Sequence, residues 1–460
     1  MSGWGGICRC LAAISFLLVA DSASAGPLGL PDAARPGAVR PEQQVPPDQP
    51  IAPVGEMVDI PAVIDRPFDI EEGPYVIVNE FRLLDAEDFP KHDIRVAEVQ
   101  SFLEKRRTAQ PERGYSIGEL QEVADEVTQY YRQKGLILST AVIPVQTVTS
   151  GVVDIQIFVG RLGRVIAESN EKYPEEVLKR PFKDMIGEPI TQESVEAALL
   201  TLTDFPGLSV FGVFQPGVKV GEADIVLKVQ EEKWYDVAYR ADNHGLQETG
   251  RNRFRTIVEW NNPTGFADRV TATYQQTYNP KNNDFWAFDY DRFLGNGFSM
   301  GLGTYKNRFD IGGEFAANDI SAETTNDYLY LSKSFIRSRQ ENLSGQLSLT
   351  RKKSVTTTAG LQTNIDRLTV LALQFDYFSV DSFHPFRPFL GKLVSEGFGG
   401  GLNFATVTYS RGFNDILGAM GSSGDQLLLP TSSRSSRRGN QANEFAEGQF
   451  DKVSLNFQRL

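Results

Sequence analysis

The chain has 460 residues, enough for two or three domains, with 59 acidic against 46 basic side chains and a formal charge of −13. That balance argues against nucleic acid as a partner, because phosphate binding needs clustered Lys and Arg. The hydrophobic fraction of 41% leaves open both a water-soluble fold and a β-barrel, whose walls alternate apolar and polar side chains and so average out polar.

Arg9 precedes the apolar run Leu11–Ala20, and Ala23-Ser24-Ala25 follows with small-x-small spacing. The run is about ten residues, too short to cross a bilayer as a helix, so residues 1–25 read as a secretory signal with Gly26 first in the mature chain. Cys8 and Cys10 both lie upstream of the run. The mature chain is therefore expected to hold no disulfide, no thiolate metal site and no lipoprotein anchor. Residues 26–74 contain 11 of the 24 prolines and read as an extended linker without helix or sheet.

Residues 75–160 change character. Tyr75–Val78 and Phe81–Leu83 suggest a strand, and Asp93–Arg107 a helix. A second helix opens at Ser116, where Glu119 completes a capping box. Its apolar face is Ile117, Leu120, Val123, Ala124, Val127, Tyr130 and Tyr131, and Gly135 suits the stop. Two β-branched runs follow, Ile137–Val145 and Val152–Val159, giving the order β-α-α-β-β. Residues 161–232 repeat that order. The strand Leu162–Ala167 precedes helices over Pro174–Met185 and Thr191–Leu202, and the strands Leu208–Phe214 and Ile225–Val229 follow.

From residue 233 the helical period disappears. Alternating segments follow one another, among them Phe254-x-Thr256-x-Val258-x-Trp260, Trp286-x-Phe288-x-Tyr290, Phe298-x-Met300-x-Leu302, Leu343-x-Gly345-x-Leu347-x-Leu349, Leu402-x-Phe404 and Val453-x-Leu455-x-Phe457. Period two over short, aromatic-rich segments is the pattern of a transmembrane β-barrel. The fold class expected is thus α+β, two β-α-α-β-β units followed by an all-β barrel over 233–460.

Several segments carry a family resemblance. Tyr130-Tyr131-x-x-x-Gly135-Leu136-Ile137, Ile143-Pro144-Val145-Gln146 and Gly151-Val152-Val153-Asp154-Ile155 are one set. Asp242-Asn243-His244-Gly245 with Thr249-Gly250-Arg251, Ile336-Arg337-Ser338-Arg339 with Asn342-Leu343, and Phe450-Asp451-Lys452 are another. In this order they resemble the outer-membrane transporters of two-partner secretion, the hemolysin secretion/activation type, in which POTRA (polypeptide-transport-associated) domains precede a β-barrel. The resemblance implies a cell outer-membrane location with the POTRA domains in the periplasm, and partners in a secreted polypeptide and outer-membrane lipid. In that family a loop bearing Val-Arg-Gly-Tyr or Phe follows the last of these segments. This chain ends at Leu460 before it, and Arg411-Gly412-Phe413 lies too early, on a predicted strand. Residues 233–460 supply roughly nine to eleven strands, fewer than the resemblance implies, so the barrel is expected to be partial, a C-terminally truncated one.

No catalytic constellation emerges. His92, His244 and His384 are far apart, no Gly-x-Ser-x-Gly occurs, and Gly397–Gly401 lacks the Lys-Ser/Thr ending of a phosphate loop. No enzyme activity, metal, cofactor or small-molecule substrate is expected. What the pattern offers is sheet edges to which an unfolded client could add as a strand. The candidates are Ser139, Thr140, Ala141, Val142 and Ile143 in the first unit and Ser209, Val210 and Phe211 in the second, with Tyr130 and Arg132 as a neighbouring helix wall. Ordinary packing of a small domain competes as an explanation for these positions. A barrel-assembly factor and a passive porin-like channel are the alternative functions.

Overall fold

The computed structural model describes residues 58–59, 74–148, 150–381, 401–436 and 444–459. The signal segment, nearly all of the linker and His384 lie outside them.

The first unit is built around α2 (Ile117–Gln133), with α1 (Val96–Thr108) beside it and the strands β2 (Glu80–Leu84), β3 (Thr140–Val142) and β4 (Val152–Phe158) beneath. One strand thus precedes the two helices and two follow them; β1 (Val58–Asp59) lies outside this sheet. The sheet order is β2-β4-β3, with β2 parallel and β3 antiparallel to the central β4. Leu120, Val123, Ala124, Val127 and Tyr131 of α2 pack on Phe81, Val153, Ile155 and Ile157. The helix starts where expected. Ser116 Oγ accepts from the Glu119 N–H at 3.2 Å, and Glu119 Oε2 accepts from the Ser116 N–H at 2.7 Å. It ends before Gly135, at φ +95. Ile117, expected on the buried face, is 53% exposed, although Ser116, Gly118 and Leu120 around it are buried. The expected strand over Tyr75–Val78 is a single bridge between Val76 and Tyr115, and the strand proper begins at Glu80. The strand expected over Ile137–Val145 shrinks to three residues. Leu136 and Ile137 are buried in the turn after α2, and Pro144 has no N–H for a ladder.

The second unit repeats the first. It comprises β5 (Arg161–Glu168), α3 (Glu175–Lys179), α4 (Gln192–Thr203), β6 (Leu208–Pro216) and β7 (Glu222–Glu232). Its β5 is parallel and its β6 antiparallel to a central β7. The helix expected over Pro174–Met185 breaks after Lys179 into a 3-10 turn, Arg180–Met185, at Pro181, which cannot donate an α-helical hydrogen bond. Thr191 Oγ1 caps α4 by accepting from the Ser194 N–H at 3.1 Å. Against expectation, the linker contributes structure: β1 pairs parallel with β6 at Gly212 and Val213.

The remainder is one antiparallel sheet of ten strands in chain order: β8 (Tyr235–Asp242), β9 (Arg253–Asn261), β10 (Asp268–Thr277), β11 (Asn283–Gly295), β12 (Phe298–Asp310), β13 (Ile320–Arg337), β14 (Glu341–Thr358), β15 (Leu361–Asp381), β16 (Gly401–Phe413) and β17 (Phe450–Arg459). Among the described residues β8 and β17 are the outer strands and do not pair with each other. Within this part the one α-helix among the described residues is the five-residue Ser423–Leu427. Arg411-Gly412-Phe413 lies on β16, as read from the sequence. Strands β13, β14 and β15 have 18, 18 and 21 residues. That is well over the roughly ten residues a tilted strand needs to cross a bilayer, so they rise past it.

Candidate translocation path

Strand register assigns every side chain of the sheet to one of two faces. Facing residues such as Phe288, Thr304, Asp327 and Arg351 share one surface, and Asp289, Gly303, Tyr328 and Thr350 share the other. The first surface carries Leu302, Leu329, Leu349 and Leu371 in one row and Met300, Leu331, Leu347 and Leu373 in the next. The second carries Arg269, Asp291, Tyr330 and Ser348 in one row and Thr273, Tyr305, Asn326 and Lys352 in another.

Burial of the two faces is inverted relative to a water-soluble protein. On the apolar face Leu302 and Leu329 are 43% and 47% exposed, whereas on the polar face Asn307 and Thr273 are 2% and 4% exposed. Only a solvent as apolar as leucine makes that arrangement favourable, and a bilayer is such a solvent. The polar face is the more buried one and is tied together by hydrogen bonds. Tyr328 and Tyr330 donate to Asp289 and Asp291, two strands away, and pass over Gly303 and Gly301. A side chain at Gly301 or Gly303 would collide with these rings, which is why glycine stands there. Leu402 and Phe404, read from the sequence as part of the apolar alternation, lie on this polar face instead. Phe404 packs against Phe378 at 5.2 Å, and Ala405, Val407 and Tyr409 face outward.

The second unit is docked at the end of the sheet where β11 and β13 finish. Asp204, just after α4, accepts two hydrogen bonds from Arg337, from Nε at 3.0 Å and Nη2 at 2.7 Å. Glu196 of α4 accepts from the Arg339 N–H at 3.2 Å. Phe205 lies 5.0 Å from Phe293 and stacks on Tyr173 at 5.9 Å. A cavity of about 290 Å³ lies between the two parts, lined by Asp204, Phe205 and Pro206 of the second unit and by Arg269, Asp291, Tyr330 and Arg337 of the sheet.

In the first unit β3 is an edge strand, as expected, but α2 already serves part of that edge. Thr128 Oγ1 accepts from the Ala141 N–H at 2.8 Å, and Arg132 Nε donates to the Ser139 carbonyl at 3.1 Å. Thr140 and Val142 turn to β4. Ile143 lies beyond the short strand, next to the fully exposed Val145. Tyr130 does not line that edge. It faces α1, where its hydroxyl donates to Glu98 at 3.0 Å, and burial and this bond push the phenol up to about 12. In the second unit Gly212 and Val213 of β6 pair with β1, and among the described residues Ser209, Val210 and Phe211 have no strand on that side. The structure thus brings the two proposed edges onto separate sheets, and Tyr130 onto a different face from Arg132.

Residues 221–385 match the family model of the haemolysin secretion/activation protein ShlB/FhaC/HecB, and residues 78–160 match that of the ShlB-type POTRA domain. Over residues 221–385 the chain is thus similar to the haemolysin secretion/activation proteins, and over residues 78–160 to their POTRA domain. The two matched segments are the first β-α-α-β-β unit, and β7 of the second unit together with the ten-strand sheet from β8 to the end of β15. Among curated relatives, the heme/hemopexin transporter protein HuxB of Haemophilus influenzae (strain 86-028NP) is 26% identical over 237 residues, 51% of this chain and 42% of that protein. The outer membrane transporter CdiB of Escherichia coli O6:K15:H31 (strain 536 / UPEC) is 29% identical over 153 residues, 33% of this chain and 26% of that protein. The chain spans less than half the length of the curated relatives it matches. Among solved structures, CdiB from Escherichia coli superposes with a TM-score of 0.60 at 18% identity, covering 86% of this chain and 67% of that one, and shows the same fold of POTRA units followed by a large antiparallel sheet.

The residues of this path that sequence reading missed are the inner ones: Asp289, Asp291, Tyr328 and Tyr330. Their signal was available, since each is the polar or hydroxyl-bearing neighbour of an outward apolar side chain, but it becomes a cluster only through strand register.

Proposed function

We propose that this chain forms the outer-membrane component of a two-partner secretion pair and moves a secreted polypeptide across that membrane. The observation that carries it is the inverted burial of the ten-strand sheet, apolar side chains exposed on one face and polar ones buried on the other, with the second β-α-α-β-β unit docked against it. A client in extended conformation gains backbone hydrogen bonds at a sheet edge with little demand on its sequence. The open continuation of β3 from Ile143 to Val145, and Ser209–Phe211 of β6, offer such edges in the periplasm, with Arg132 beside the first. The polar face then offers Asp, Asn, Thr and Tyr groups that exchange hydrogen bonds with a passing chain. Folding of the client outside would draw transport forward.

The test is photo-crosslinking in cells that secrete a client. A photoreactive residue at Ile143 or Ser209 should trap the client, and one at Gln121 on the far side of α2 should not. Equal trapping at all three positions, or none at the two edges, contradicts the reading.

A further inference from the structure

Along β12–β15 the outward face changes character toward the extracellular end. Above the leucine row Leu302, Leu329, Leu349 and Leu371 comes a row of Thr304, Asp327, Arg351 and Thr369, and above that one of Lys306, Thr325, Lys353 and Arg367. Four cations thus stand just past the apolar band. Two have carboxylates, Lys306 with Glu323 at 2.9 Å and Arg351 with Asp327 at 3.7 Å. The other two, Lys353 and Arg367, face each other directly across β14 and β15, and among the described residues neither is in an ion pair. Like charges directly opposite one another destabilise a strand pair, unless an anion lies between them.

Immediately below is a groove of about 390 Å³. Its walls are Phe288, Leu302, Leu329 and Leu349, Arg351 stands at its upper end, and Leu417 of the long loop after β16 closes over it. That loop is fastened to β15: Thr369 Oγ1 donates to the Ile416 carbonyl at 2.8 Å, and the Met420 N–H donates to the Arg367 carbonyl at 2.9 Å. An apolar slot continuous with a cationic rim matches an amphiphile, not a free anion. Guanidinium groups suit phosphate oxygens by their paired N–H donors.

We propose that this is a binding site for a membrane lipid of the extracellular leaflet whose headgroup carries phosphate, its acyl chain in the groove and its phosphate among Arg351, Lys353 and Arg367. The proposal rests on reading the sheet as a membrane wall. It is tested with the full chain in phosphatidylcholine vesicles containing a spin-labelled lipid, either phosphatidic acid or phosphatidylcholine. The readout is the fraction of label immobilised by the protein. Wild type should prefer phosphatidic acid, and K353Q/R367Q should reduce the preference by roughly fivefold, the scale of a partly exposed charge interaction. K352Q, one residue away on the opposite face, should keep it, and inorganic phosphate should not release the lipid. Retention of the preference in K353Q/R367Q, its equal loss in K352Q, or release by inorganic phosphate overturns the proposal. If wild type immobilises phosphatidylcholine but shows no preference, this site fails and the membrane wall stands. If wild type immobilises neither lipid, both readings fail.

Discussion

At the start of α2, Ser116 and Glu119 each satisfy the other's backbone N–H. The bond from the Ser116 N–H, helped by Arg113, holds the Glu119 carboxyl below its ordinary range, and Arg82 does the same for Asp154 between β2 and β4. A carboxyl depressed in the folded state stabilises above its unfolded pKa, and this contribution disappears as pH falls through the folded one. Acidification to below the ordinary carboxylate range is therefore expected to loosen the first unit, read as faster hydrogen exchange of α2 amides after correction for intrinsic rates. E119Q should flatten that dependence. Ser116→Ala should cost about 1 kcal/mol at neutral pH, roughly a fivefold faster exchange. This motif was legible because its partners are three residues apart. The bond from the Ala141 N–H to Thr128 was not, since it depends on how the turn after α2 returns the chain. That bond corrects the simple picture of an open edge at Ser139–Ala141.

Among the elements, the junction between α4 and the turn after β13 decides how the second unit sits under the sheet. Arg337 and Asp204 are well aligned, but Asp204 is 40% exposed, so the pair contributes no more than about 1 kcal/mol. The Phe205–Phe293 contact holds independently. R337Q is thus expected to broaden, and not abolish, the docked arrangement. Spin labels at Glu176 on α3 and at Gly313 in the loop after β12 should give a wider distance distribution than in wild type; an unchanged distribution would show that the aromatic contact alone fixes the unit. Both β-α-α-β-β units and their helix caps could be read from periodicity, and so could most outer strands. Strand β13 was harder. Outward Leu329 and Leu331 alternate with inward Tyr328 and Tyr330, whose rings hide the polarity of their hydroxyls. The upper halves of β13 and β14, Glu323–Asp327 and Arg351–Thr358, are largely polar on both faces, which leaves little alternation to read.

For the molecule as a whole, the account stands on the two faces of the sheet. A charge placed mid-band on the outward face should be costly, and the same charge one residue later tolerated. Leu331→Arg is expected to destabilise the inserted sheet by about 2–4 kcal/mol, measured by urea unfolding in vesicles, while Ser332→Arg on the polar face changes it little. Inside and outside could be assigned from the sequence only as a pattern; the register made them surfaces, and placed Leu402 and Phe404 on the inner one. The central claim, that a polypeptide travels along the polar face, is tested most directly by photo-crosslinking at two neighbouring positions of β13 while a client is being secreted. Tyr330 lies on the polar face and Leu331 on the apolar one. A photoreactive residue at 330 should capture the client, and one at 331 should capture lipid and no client. Capture of the client at 331 and not at 330, or at both equally, would contradict the account.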